Sequence, residues 1–433
     1  MPHLEGRHMS PSTITLLFLL FAIIMFVWEK IPLALTAMIV CIGLVLSGVL
    51  DVRTAFLGFI DSNVILIVAM FVIGGALFET GIANKIGGLV ARFAQTERQL
   101  IIAVMLITGV MSGLLSNTGT AAILIPVVIG IATKANFSRS RLLMPLVFAA
   151  AMGGNLSLIG APGNLIAQGV LEQGTGLKFG FFEYAKIGLP ILIVGIIYFV
   201  LIGYRFLPAK QNLSIDHSVY AGDTTSHRDV PVWKQNLSLI ILIATLLAMV
   251  LEDTIGIRFY LSACVGALLL VLTGVMSEKE AYKAIDSQVI FLFGGTLALA
   301  TALKDTGAGL AIANTILGFL GDTPNPFILL ATLFLLSCVL TNFMSNTATT
   351  TLLAPISLSI ANQLGADPRS VLMATVIGAS CAYATPIGMP ANTMVLSVGG
   401  YKFTDYVKAG VPLIIVSTIV ALILLPIFFP FYP

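Results

Sequence analysis

Residues 112–118, Ser-Gly-Leu-Leu-Ser-Asn-Thr, and residues 341–347, Thr-Asn-Phe-Met-Ser-Asn-Thr, set the same tripeptide behind the same Ser/Thr spacing in two strongly apolar runs. Three adjacent polar side chains in such a run must be hydrogen-bonded, paired or solvated, because an unsatisfied polar group in hydrocarbon is costly. Ser116-Asn117-Thr118 and Ser345-Asn346-Thr347 therefore read as two halves of one site.

Outward from the triplets the chain stays apolar: 58% of its 433 residues are hydrophobic and 10% are charged. A soluble surface cannot be built from that composition, which predicts an all-α polytopic membrane protein. Runs such as 62–79 and 236–251 are apolar on every face, unlike the alternating strands of a barrel. A net charge of +2 gives no reason to expect nucleic acid. Cys41, Cys264, Cys338 and Cys381 sit in apolar runs without CxxC spacing, so buried free thiols are expected. Residues 1–9, with His3, Glu5, Arg7 and His8, read as a leader outside the fold.

Hydropathy places spans at 12–28, 32–50 and 62–79, an interrupted region at 99–133, a span at 141–171 broken near 155–163, and a span at 187–207. The plan recurs at 236–251, 259–276, 287–303, 327–360, 370–398 (broken near 383–391) and 410–429. Residues 10–207 thus form a first repeat and 236–433 a second, joined by the polar stretch 208–235, expected to be a cytoplasmic linker. The repeat holds residue by residue. Asp61-Ser62 answers to Asp286-Ser287, Thr80-Gly81 to Thr306-Gly307, and the first triplet to the second. Ser157-Leu-Ile-Gly160-Ala-Pro162-Gly-Asn164 answers to Thr385-Pro-Ile-Gly388-Met-Pro390-Ala-Asn392, and Tyr184, Lys186, Gly188 and Pro190 to Tyr406, Lys408, Gly410 and Pro412. The offsets, 225, 226, 229, 228 and 222, keep unbroken order where chance matches would scatter.

Each unit has five crossings if the interrupted region enters and returns as a re-entrant hairpin, and seven if both arms cross. Both counts are odd, so two inverted-topology repeats follow, the plan of many secondary transporters. The arms meet at Ser-Asn-Thr without a charged turn, which favours the hairpin and five crossings. One face then collects fifteen Lys and Arg residues, among them Lys30, Lys85, Arg92, Lys134, Lys210, Arg228, Lys279 and Lys283. The other collects Arg53, Lys178, Lys186, Arg258, Lys304 and Arg369. The positive-inside rule makes the first face cytoplasmic and both termini external, in what is expected to be a bacterial inner membrane.

A broken helix offers what a buried ion site needs: free N–H groups with partial positive charge at half-helix N-termini, and unwound carbonyls for a hard cation such as Na⁺. Ser112 and Thr341, four residues before the triplet serines, share a helical face with them and add an oxygen to each tip. No His lies in a span, and acidic residues such as Glu79, Asp253 and Asp305 cluster at span ends, so a proton relay lacks parts. No span offers His beside Ser, Cys or Asp, so no enzyme activity is expected and no cofactor beyond Na⁺ as coupling ion. With no buried Lys or Arg against an anion, a co-bound cation is the natural source of positive charge. A passive anion channel would need polar residues along a helix face rather than at two tips.

The doubled Ser-Asn-Thr tips, with Gly160-Ala-Pro162-Gly-Asn164 and Gly388-Met-Pro390-Ala-Asn392, resemble the divalent anion/sodium symporter family of the ion transporter superfamily. The resemblance covers nearly the whole chain. It implies an elevator-type secondary transporter, a homodimer in which a scaffold domain carries a moving domain of hairpins and broken helices. It implies one Na⁺ site at Ser112, Ser116, Asn117 and Gly160 and another at Thr341, Ser345, Asn346 and Gly388. The anion would lie between Ser116, Asn117 and Thr118 on one side and Ser345, Asn346 and Thr347 on the other, beside Ala161, Pro162, Met389 and Pro390. Where dicarboxylate transporters of this family carry Gly/Ala-Thr-Pro-Pro-Asn, this chain has Ala161 and Met389 for the Thr and Gly163 and Ala391 for the second Pro. The expected activity is sodium-coupled symport of a small divalent anion, a C4-dicarboxylate such as succinate or malate. A sulfate or other inorganic oxyanion transporter, or a sodium-independent dicarboxylate exchanger, is the alternative.

Overall fold

The computed structural model describes residues 9–28, 30–82, 96–208, 230–320 and 325–432. The leader up to residue 8 and the linker from 209 to 229 lie outside the described residues, as do Lys85, Arg92, Lys210 and Arg228 of the charge count.

Among the described residues the architecture is helical. The first half holds α1 (Pro11–Trp28), α2 (Leu33–Leu46), α3 (Ser62–Glu79), α4 (Glu97–Leu114), α5 (Asn117–Ala135), α6 (Ser140–Gly153), α7 (Pro162–Thr175) and α8 (Ala185–Leu201). The second holds α9 (Val232–Val250), α10 (Phe259–Leu272), α11 (Ser287–Asp305), α12 (Ala308–Leu320), α13 (Pro326–Thr341), α14 (Asn346–Leu364), α15 (Pro368–Ala379), α16 (Pro390–Val398) and α17 (Phe403–Phe428). Five helical stretches are long and apolar enough to cross a membrane, and α8 and α13 are among the shorter apolar helices. The protein is a polytopic membrane protein.

Three expectations are corrected. Residues 232–235, placed in the linker, are the first turn of α9, because Pro231 precedes a helix whose polar start, Lys234 and Gln235, extends beyond the apolar run. Helix α12 was not foreseen: Gly307 at φ +71° turns the chain after α11, and the short helix that follows carries Asn314 and Thr315. The second break begins at Ser380 rather than near 383, because side chains satisfy the backbone freed there; Asn342 Nδ2 donates to Cys381 O at 3.2 Å.

The halves interlock. Helix α2 packs on α11 and α10 on α3; α7 packs on α14 and α16 on α5; α8 lies along α17. At the centre, α6 and α15 are buried on every face from Leu142 to Gly153 and from Val371 to Ala379. Their all-round apolarity is that of helices enclosed by protein rather than facing lipid on one side. Both central helices end beside a triplet, which puts the tips of α5 and α14 in the protein interior.

Candidate functional site

Ser116 and Ser345 are the N-caps of α5 and α14. Their Oγ atoms accept from Gly119 N at 3.0 Å and Ala348 N at 3.1 Å, so each serine fixes where its helix starts and leaves the Asn and Thr on the first turn.

Behind each tip, oxygens converge. The inward amide atom of Asn117 lies 2.7 Å from Ser112 Oγ, 3.1 Å from Ala150 O and 3.1 Å from Gly160 O. That of Asn346 lies 2.8 Å from Thr341 Oγ1, 3.2 Å from Ala379 O and 3.3 Å from Gly388 O. Ser112 Oγ is also 2.7 Å from Ala150 O, and Thr341 Oγ1 2.5 Å from Ala379 O. With Oδ1 inward, each cluster has four oxygens and one hydroxyl proton. Two arrangements satisfy it: the amide turns so that its NH₂ donates, or a hard cation sits among the oxygens. Oxygens bound to such a cation at about 2.4 Å stand roughly 3 Å or more apart; the pairs at 3.1–3.3 Å have that spacing, and those at 2.5–2.8 Å, which share a hydroxyl proton here, would have to open slightly. Neutral hydroxyl, amide and carbonyl oxygens suit a cation such as Na⁺.

The clusters rest on the two breaks. Asn164 Nδ2 donates to Gly154 O and Ser157 O, both at 2.8 Å; Asn392 Nδ2 donates to Ala382 O at 2.7 Å and Thr385 O at 3.0 Å. Ser157 Oγ donates to Gly113 O and Thr385 Oγ1 to Asn342 O, tying the two loops to the ends of α4 and α13. Tyr184 and Tyr406 donate to the carbonyls of Asn164 and Asn392 at 2.9 and 2.6 Å. Position 154 must be glycine, since a Cβ there would lie 2.5 Å from Asn117 Oδ1.

Between the clusters lies a cavity of about 300 Å³. Ser116, Asn117, Thr118, Ala161, Pro162, Ser345, Asn346, Thr347, Met389 and Pro390 all line it, as does Gly388. Asn117, Pro162, Asn346 and Pro390 are the first residues of α5, α7, α14 and α16, so four helices begin at this space. Their N-terminal dipoles favour an anion. No Lys or Arg is among the described residues that line it. Asp286 is, its carboxylate accepting from Gln288 N at 2.9 Å as the N-cap of α11. Met389 Sδ stands 4.0 Å from Asn117 Nδ2. A larger cavity of about 500 Å³, between Thr301, Lys304 and Asn362, contains neither triplet.

Sequence reasoning missed the carbonyls of Ala150 and Ala379. A backbone carbonyl carries no side-chain signature, although the small residues Ala149 to Ala151, Gly153 and Gly154, and Gly378 to Ser380, mark where α6 and α15 open. Ser112, Asn117 and Gly160 come together, as do Thr341, Asn346 and Gly388. Ser116 and Ser345 stand one step aside, as helix caps.

The chain matches the family described as "Citrate transporter" (CitMHS) over residues 23–374 and again over 254–432. It is 30% identical to an uncharacterized transporter of Haemophilus influenzae, over 94% of this chain and 89% of the relative. It is 26% identical to the uncharacterized transporter YfbS of Escherichia coli, over 95% and 98%. The sodium-dependent dicarboxylate transporter SdcS of Staphylococcus saprophyticus is 24% identical, over 88% and 79%. Among solved structures, the YdaH transporter of Alcanivorax borkumensis superposes with a TM-score of 0.66 at 15% identity, covering 97% of this chain and 98% of that one.

Proposed function

The chain belongs to the citrate transporter (CitMHS) family, within the ion transporter superfamily that includes the divalent anion/sodium symporters, and from that premise we propose that it couples Na⁺ to the transport of a small divalent anion, a C4-dicarboxylate such as succinate or malate. The observation that carries the reading is the cavity itself: both triplets and the first residues of four helices face one space, flanked by two clusters of converging oxygens. The helix N-termini hold the anion, and a cation in each cluster supplies the charge that no Lys or Arg among the described lining residues brings. Each ion then strengthens binding of the other, which is the thermodynamic content of coupling.

The two halves act as inverted repeats, with α4–α5 and α13–α14 as re-entrant hairpins. The matching order of helices and the paired bonds at the two breaks support this. Hairpins and broken helices move together past a scaffold of continuous helices, as an elevator in a homodimer, with the lysine-rich face cytoplasmic and both termini external.

The test is uptake of radiolabelled succinate into proteoliposomes with Na⁺ or choline as the cation. Uptake should require Na⁺. Undiminished uptake in choline would sink the coupling and leave an exchanger. A second reading, transport of a compact oxyanion such as sulfate, is favoured by Ala161 and Met389, which remove two hydroxyls, and by Met389 lying over Asn117. Thermal shifts with succinate, malate, citrate and sulfate, each with and without Na⁺, separate the two, because a ligand stabilises the state that binds it.

A further inference from the structure

The cavity is not symmetric, and the asymmetry singles out Thr350. Thr350 lies on α14, three residues beyond Thr347 and four beyond Asn346, so it shares their face. It lines the cavity although only 1% of its surface is exposed. Its Oγ1 is aimed at Gly163 on α7, where a Cβ would lie 2.8 Å from that oxygen. Gly163 thus leaves the room that the hydroxyl occupies. The hydroxyl proton goes to Asn346 O at 3.1 Å, long for an O–H donor, so it can turn toward an anion at little cost.

The first tip has no equivalent. By the repeat, Thr350 corresponds to Ala121 and Gly163 to Ala391, neither of which carries a hydroxyl. Met389, with its sulfur 4.0 Å from Asn117 Nδ2, takes up space on that side, where the corresponding residue of the other break is the smaller Ala161. One end of the cavity is therefore roomy and carries an extra donor, and the other is narrowed by a thioether.

We propose that Thr350 is a specificity-determining residue, its hydroxyl donating to an oxygen of the anion and seating the dianion toward the Ser345-Asn346-Thr347 tip. The inference rests on the transport reading above. It assigns to Thr350 the role left open by Ala161 and Met389, and it asks of the substrate an anionic group with at least two oxygens, a carboxylate or a sulfate, at the second tip.

The experiment measures succinate and sulfate uptake by the full chain in proteoliposomes at saturating Na⁺. Thr350→Val should raise the KM of the transported anion about tenfold, the effect of losing a hydrogen bond to a charged group. Thr350→Ser should keep the wild-type KM. Gly163→Ala should also raise KM in the wild-type background, by pushing on Oγ1. The Na⁺-induced thermal shift without anion should be unchanged in all three, which a merely structural lesion would not allow. A wild-type KM in Thr350→Val, or a loss of the Na⁺ shift along with it, overturns the proposal. Absence of Na⁺-driven uptake of either anion by the wild type overturns the transport reading itself, and this proposal with it.

Discussion

Asn117 and Asn346 each serve two spaces at once: the inward amide atom completes an oxygen cluster, while the residue also lines the cavity. Asn117→Ala or Asn346→Ala should therefore abolish Na⁺-driven uptake while leaving the purified protein folded, read by uptake and melting side by side. Ser112 and Thr341 touch only their clusters. Ser112→Ala and Thr341→Ala remove one of four oxygens and should raise the Na⁺ concentration for half-maximal uptake about tenfold, leaving the anion KM at saturating Na⁺ near wild type. Melting is the control, because Ser112 also donates to Ala150 O and its loss costs about 1 kcal/mol. A wild-type Na⁺ dependence in both variants would remove these hydroxyls from the cation sites.

At the scale of the element, each break is pinned from the helix that follows it by one asparagine. Asn164 and Asn392 are fully buried, and each feeds two carbonyls of the loop before its helix. Asn392→Leu, which keeps the branching but loses the amide, should leave Ala382 O and Thr385 O unpaired at about 1–3 kcal/mol each, lowering the melting temperature and the Na⁺ response together. A variant that melts as the wild type does would show that the loop finds other donors. These breaks were legible because a proline that starts a helix, a glycine before it and an asparagine after it are all side-chain signals. Ser62–Glu79 was legible to the residue because Asp61 caps it, accepting from Asn63 N at 2.8 Å, and Thr80-Gly81 ends it. The Ala150 and Ala379 carbonyls were not, since any residue supplies a carbonyl. Helix α12 escaped because a short helix beside a span lacks the unbroken apolar run by which spans are found. The narrowing at Met389 was visible as added bulk, but which tip it covers depends on α16 packing against α5, a contact between halves that no local pattern encodes.

The molecule as a whole is latched at the end of α7 away from the cavity. Asn63 on α3 is buried, its Nδ2 donating to Asp61 Oδ1 at 2.9 Å and to Glu172 Oε2 on α7 at 3.1 Å. From α11, Lys304 Nζ approaches the carbonyls of Gln173 and Gly174, both at 3.5 Å, where the α7 dipole is negative. Two continuous helices thus grip the last turn of one broken helix. In the elevator reading α3 and α11 are scaffold and α7 moves, so these contacts must break in each cycle, and their strength sets part of the balance between the end states. Asn63→Cys with Glu172→Cys, in a background lacking the four native cysteines, places two thiols across this boundary. Bridging them with Hg²⁺ should arrest succinate uptake, and excess thiol should restore it, while either single variant should be insensitive to Hg²⁺. Full uptake by the bridged protein would mean that α3 and α7 travel as one body, and the boundary between scaffold and moving domain would have to be drawn elsewhere.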